Sequence, residues 1–147
     1  MFLDRPEVFR RIARSRRILL ARIGRYGQTV MQRLQRRVGL DGPYSQPGEP
    51  PNARVGTIRN LSTFAPADGG ATTVVGVLPI VRSRTSVLHG KRGVPHLLNE
   101  GGRETFLATP NRSQPTTVTY EARPFTDPTM RRLWPWAKSL IRREAMG

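Results

Sequence analysis

The chain has 147 residues, a formal net charge of +15 and no cysteine. That length suits one domain better than two, and the absence of thiols excludes disulfides, thiolate catalysis and most structural zinc sites. The excess of 25 basic over 10 acidic residues predicts acidic partners: nucleic acid, an anionic membrane surface or acidic protein faces.

Leu, Ile, Val and Phe make up about 24% of the chain, close to the level below which highly charged chains stay disordered, so the core is expected to be small. Lys91 and Lys138 are the only lysines, and the arginines favour planar, bidentate contacts with carboxylate or phosphate. Residues 1–39 read as a basic amphipathic helix. Eleven arginines face only Asp4 and Glu7, and Val8, Ile12, Leu19, Ile23, Tyr26, Val30, Leu34 and Val38 recur at helical spacing. Asp4 is the expected N-cap, with Pro6 in the first turn and Gly39 after the C-terminal end. Gly24 and Gly27 each cost about 1 kcal/mol in a helix interior, so they point to a bend or a close contact. The segment has the composition of an organellar transit peptide, but its length and regular apolar face favour a mature structural helix.

Residues 40–54 hold four prolines and two glycines and predict an extended loop. A short amphipathic piece at 55–61 precedes two strands, 62–67 and 71–79, joined by Asp68-Gly69-Gly70 as a hairpin turn. After a polar, Arg-rich excursion over 80–93, Pro95 opens a short helix at 95–100 that Gly101 ends. Strands over 104–108 and 116–122 follow, joined by a polar loop. Residues 124–147 read as a C-terminal helix starting near Asp127-Pro128, with Pro135 expected to kink it or delay its start. The whole predicts a single α+β domain: an antiparallel four-stranded sheet made of two hairpins within residues 55–123, packed against the two long helices. There is no internal repeat. No apolar run is long enough to cross a bilayer and no secretion signal is visible, so a soluble, unexported protein is expected.

Catalytic chemistry finds little support. His89 and His96 lack the cysteine or spaced carboxylate partners of a metal motif, Glu100 and Glu104 are separated by two glycines, and the serines lie in no nucleophile-elbow pattern. The stretch HGKRG lacks P-loop spacing. No catalytic, metal or cofactor site is predicted. The arginines of the first helix, Arg10, Arg11, Arg14, Arg17, Arg25, Arg33, Arg36 and Arg37, are the candidates for contact with DNA or an acidic partner. Aromatic residues are few and not interleaved with the basic ones, which disfavours base-stacking modules. No sequence-reading motif is present, so any DNA contact would be sequence-blind. Membrane binding is disfavoured because the core needs the same apolar stripe.

The order of motifs resembles the head-to-tail joining proteins of long-tailed phages, also called neck, tail-component or tail-completion proteins. The matching residues are Ser45-Gln46-Pro47-Gly48-Glu49-Pro50-Pro51, then Gly56-Thr57-Ile58-Arg59, then VVGV at Val74–Val77. Pro95-His96-Leu97-Leu98-Asn99-Glu100-Gly101-Gly102 and Ala122-Arg123-Pro124-Phe125 complete the set. Asn99 stands where the pattern more often has an acid, residues 80–93 are longer than the minimal link, and Thr126-Asp127-Pro128 replaces a more apolar run. The resemblance implies a structural virion protein at the head–tail interface, made in the host cytoplasm. It would form a homo-oligomeric ring, hexameric with a dodecamer as the alternative. Its neighbours would be the portal, adaptor or head-closure ring and the tail terminator or tail tube, with packaged DNA passing through the channel. Ser45, Pro47, Gly48, Pro50, Pro51, Arg82, Arg84, Lys91, Arg92, Pro95, Glu100, Arg123 and Phe125 are the candidate contacts between subunits or rings.

Overall fold

The computed structural model describes residues 5–53, 57–78, 94–106 and 114–146. Its elements run α1 (Arg5–Leu34), α2 (Thr57–Asn60), β1 (Ser62–Ala67), β2 (Thr72–Val77), α3 (Val94–Glu100), β3 (Gly102–Phe106), β4 (Thr116–Tyr120) and α4 (Thr126–Met146). Asp4, the expected N-cap, lies outside the described residues, as do residues 79–93 and 107–113.

The fold is α+β with a long helix near each end, but the expected four-stranded sheet is not formed. β1 pairs antiparallel with β2 alone and β3 with β4 alone, giving two separate two-stranded sheets. The two hairpins are held by different parts of the chain. The first lies along α1. The second follows α3, and Arg103, Thr105, Thr117, Val118 and Thr119 on its strands are all exposed. The alternation in TTVTY therefore has too little apolar surface to draw this hairpin into a common sheet, since a sheet is stabilised by burying one face. Thr105 and Thr117 instead pair across the strands, oxygen to oxygen at 3.0 Å.

The centre of the fold is α1, with α4 on one side and the β1–β2 hairpin on the other. α4 runs antiparallel to α1: Arg22 meets Glu144, Tyr26 stacks on Trp136 with ring centroids 4.1 Å apart, and Gly27 lies against Leu133. Ile23, Leu133, Ala137 and Leu140 form the apolar cluster, flanked by Leu19, Tyr26 and Trp136. At about 1.5–3 kcal/mol for each large apolar side chain fully buried, this small cluster is a modest stabilising force, in keeping with the expected thin core. The Arg22–Glu144 pair is half exposed and adds little.

On its other side α1 admits the hairpin at Gly24 and Gly27. A Cβ on Gly24 would stand 2.7 Å from Thr73 Oγ1 and closer still to the Phe64 ring, and one on Gly27 would be 2.9 Å from Val75. α1 remains helical through both glycines, and each meets the close contact expected of it. The turn between β1 and β2 uses Asp68, Gly69 and Gly70 at φ of 50°, 62° and 88°, the positive angles expected of the Asp-Gly-Gly turn.

One helix boundary and the effect of Pro135 on the start of α4 differ from the sequence reading. α1 ends at Leu34 and not near Val38 or Gly39. Arg37 bridges Ala53 in parallel, with Ala53 N–H donating to Arg36 O at 2.8 Å, so the chain leaves the helix to pair with the end of the proline loop. Buried Gln35 also accepts a bond from Ser62 Oγ at 3.4 Å, while Gln28 and Gln32 donate to Ser62 O and Arg59 O. These three glutamines tie the last turns of α1 to the start of β1. At the other end, α4 is helical from Thr126 through Pro135 to Met146. Pro135 neither delays its start nor ends it, because the ring sits on the exposed face. Replacing Pro135 with alanine restores the missing donor to the exposed side, and we expect a gain of about 1–2 kcal/mol in chemical denaturation.

Candidate functional site

The candidate arginines of α1 fall into two groups. Arg10, Arg11, Arg14 and Arg17 lie on the first half of the helix, where every described residue from Arg5 to Ile18 except Ala13 is exposed. Arg25 and Arg33 are exposed on the half that carries α4 and the hairpin, and Arg36 and Arg37 lie beyond its end. At 100° per residue Arg10, Arg14 and Arg25 share a sector of roughly 60° on the side away from the core, and Arg17 lies at its edge beside the hairpin. Arg17 also runs along the hairpin turn, its Nε 3.2 Å from where a Cβ on Gly70 would stand.

The first half of α1 is an arm. Glu144, two residues before the end of α4, meets Arg22, the hairpin turn touches Arg17 at the base of the arm, and the helix runs on for about 18 Å from Arg16 to Arg5. Val8, Phe9 and Ile12 on it are 36%, 68% and 58% exposed, although they continue the face that is buried farther along. The helical periodicity marked Val8 and Ile12 as core. They are exposed because no described element of this chain reaches them.

Four of the thirteen candidate interface residues, Ser45, Gly48, Arg123 and Phe125, take part in one internal joint. Gly48, at φ of 83°, donates its N–H to Ala122 O at 2.9 Å. Arg123 donates through Nε to Ser45 O at 3.3 Å and through its backbone N–H to Leu98 O at 2.6 Å. Phe125 is 2% exposed, and Ser45 and Pro51 are buried. Pro47 and Glu100 are exposed and Pro50 is half-buried. Ser45, Arg123 and Phe125 thus serve contacts within the chain, with Arg123 half-buried. Pro95 lies in the first turn of α3, and Arg82, Arg84, Lys91 and Arg92 lie outside the described residues.

Asn99 is the member of this joint that sequence reasoning missed. Its Oδ1 accepts from the N–H of Phe125 at 3.0 Å, the N–H of Thr126 at 3.1 Å and Thr126 Oγ1 at 2.9 Å. It caps the N-terminus of α4 from a different helix. The sequence signal was the departure at position 99: an acid there is also an acceptor, and asparagine preserves that capacity.

Among the described residues no group of three or more His, Cys, Asp and Glu could hold a metal ion. His96 Nε2 lies 3.3 Å from Glu100 Oε2 across one turn of α3, an exposed i, i+4 pair. No family model matches this chain, and no curated protein or solved structure matches it. The functional reading therefore rests on the joint and the arm.

Proposed function

We propose that this chain is a structural, non-enzymatic subunit of a tailed-phage neck, part of the ring that joins head to tail and completes the tail end. The observation that carries the reading is the joint. Three of the five motifs behind the resemblance meet there: the Ser45–Pro51 loop and the Pro95–Gly102 segment each hydrogen-bond to Ala122–Phe125. Pro95–Gly102 and Ala122–Phe125 meet because they flank the β3–β4 hairpin, whereas the Ser45–Pro51 loop is brought to Ala122 and Arg123 from a distant part of the chain. The thin core and the projecting arm also suit a subunit that buries further surface against neighbours. Such a ring, hexameric with a dodecamer as the alternative, gathers a charge of +15 per copy and therefore needs acidic neighbours. Portal, head-closure and tail-tube rings are the partners this reading requires.

Sequence-independent binding to nucleic acid is the second reading, favoured by the outer arginine face of α1. Two measurements separate the readings. Mass spectrometry of purified particles should find the chain at a fixed stoichiometry, and deleting its gene should leave filled heads and unattached tails. Absence from particles, with nanomolar duplex binding that falls steeply with salt, would favour the second reading.

A further inference from the structure

We propose that the arm Arg5–Ile18 is a docking helix for an apolar groove with an acidic rim on a different protein. This names the partner chemistry of the neck subunit proposed above and rests on that reading for the existence of a protein partner. The argument begins with two surfaces on one rod. Val8, Phe9 and Ile12 stand at i, i+1 and i+4, so they share a face, and all three are exposed. Arg5 and Arg16 stand on the same face at either end of this row and Arg11 beside it, with Arg10, Arg14 and Arg17 farther round the helix; Glu7 is the one acid in the segment and is already engaged by Arg11 at 3.0 Å.

Each candidate occupant can be judged by charge. A second copy brings +15 of its own, and its ten acids are scattered along the chain, so it is a poor neutraliser of the arm. Duplex DNA neutralises the arginines but offers phosphates, and not an apolar slot, to Val8, Phe9 and Ile12. An acidic protein groove satisfies both at once, with the apolar row as anchors and Arg5, Arg11 and Arg16 on carboxylates around it. The arm continues a helix already nucleated by the packed half of α1, so the partner does not have to start it.

The test uses the full-length chain and defined probes, measured by titration calorimetry at physiological ionic strength. The probes are a random glutamate–tyrosine copolymer, polyglutamate of the same length, a short duplex DNA and vesicles of phosphatidylglycerol with phosphatidylcholine. The copolymer should bind about tenfold or more tightly than any of the other three. The variant V8S/F9S/I12S should lose that preference while keeping its affinity for polyglutamate. R5Q/R11Q/R16Q should weaken binding to both polymers. Both variants change only exposed positions, and circular dichroism confirms that they fold. Equal affinity for copolymer and polyglutamate, tighter binding to DNA or vesicles, an unchanged preference in the serine variant, or self-association that the serine variant abolishes would each overturn the proposal. None of these measurements uses phage particles, so failure here and failure of the neck assignment are distinguishable.

Discussion

Replacing Gly24 with valine is expected to cost about 3 kcal/mol or more and to remove the cooperative unfolding transition near room temperature. Elementary helix propensity predicts the opposite sign, since leaving glycine gains up to about 1 kcal/mol in a helix interior. The packing term wins. Where a Cβ would stand, the Phe64 ring and Thr73 Oγ1 already lie closer than 3 Å. The contact on Phe64 reaches Cγ at the root of the ring, so a small rotamer change does not clear it, and the hairpin must lift from α1. Lifting it also exposes Val75 at Gly27 and strips the second face of α1. Few apolar residues are buried among the described ones, so a loss of this size is expected to take up much of the usual 5–15 kcal/mol of stability. Alanine at 24 should cost less, about 1–2 kcal/mol, because its propensity gain offsets part of the clash. Alanine at Gly39, which has nothing within 4 Å of the added atom, should change stability by no more than about 0.5 kcal/mol. Urea unfolding followed by the fluorescence of Trp136, which stacks on Tyr26, reads all three variants. A stable Gly24→Val protein would mean that the hairpin does not need its seat on α1.

The legible part of this fold was the part governed by local rules. Apolar spacing located both long helices, Asp68-Gly69-Gly70 located the first turn, and Gly101 located the end of α3, because each depends on a residue's own conformational range. The four-stranded sheet failed because strand propensity says that a segment is extended and not which strand it joins. The second hairpin, with its exposed threonines and Val118, carries no apolar face to dock by. The end of α1 was misplaced for a related reason. Val38 and Gly39 suit a helix end locally, but the bridge from Arg37 to Ala53 and the burial of Gln35 against Ser62 are long-range contacts invisible to periodicity. The candidate site divides in the same way. Exposure of the arginines followed from charge alone. That Ser45, Arg123 and Phe125 would be spent inside the fold, and that Val8, Phe9 and Ile12 would be left outside it, depended on how far α4 and the hairpin reach along α1.

Asn99 offers the sharpest test of the joint. Replacing it with alanine removes the shared acceptor of three donors at the start of α4, leaving the Phe125 and Thr126 N–H groups without it. Loss of a helix cap costs about 0.5–2 kcal/mol, and unsatisfied half-buried donors add to that, so a loss of about 2 kcal/mol is expected. Aspartate at 99 should restore or exceed the original stability near neutral pH. A carboxylate is an acceptor of the same reach, its bonds are charge-assisted, and the helix N-terminus favours negative charge. The same bonds would hold that carboxyl's folded pKa below its unfolded value. The aspartate variant's advantage should therefore be full above the unfolded carboxyl range and disappear as pH falls through the folded pKa, a dependence the asparagine protein lacks at this position. Hydrogen exchange should show the Phe125 and Thr126 amides opening faster in the alanine variant, with the Ile23–Leu140 cluster protected as before. If aspartate proves as damaging as alanine at pH 7, the acceptor role of Asn99 is wrong, and with it the account of why an acid and an asparagine are interchangeable there.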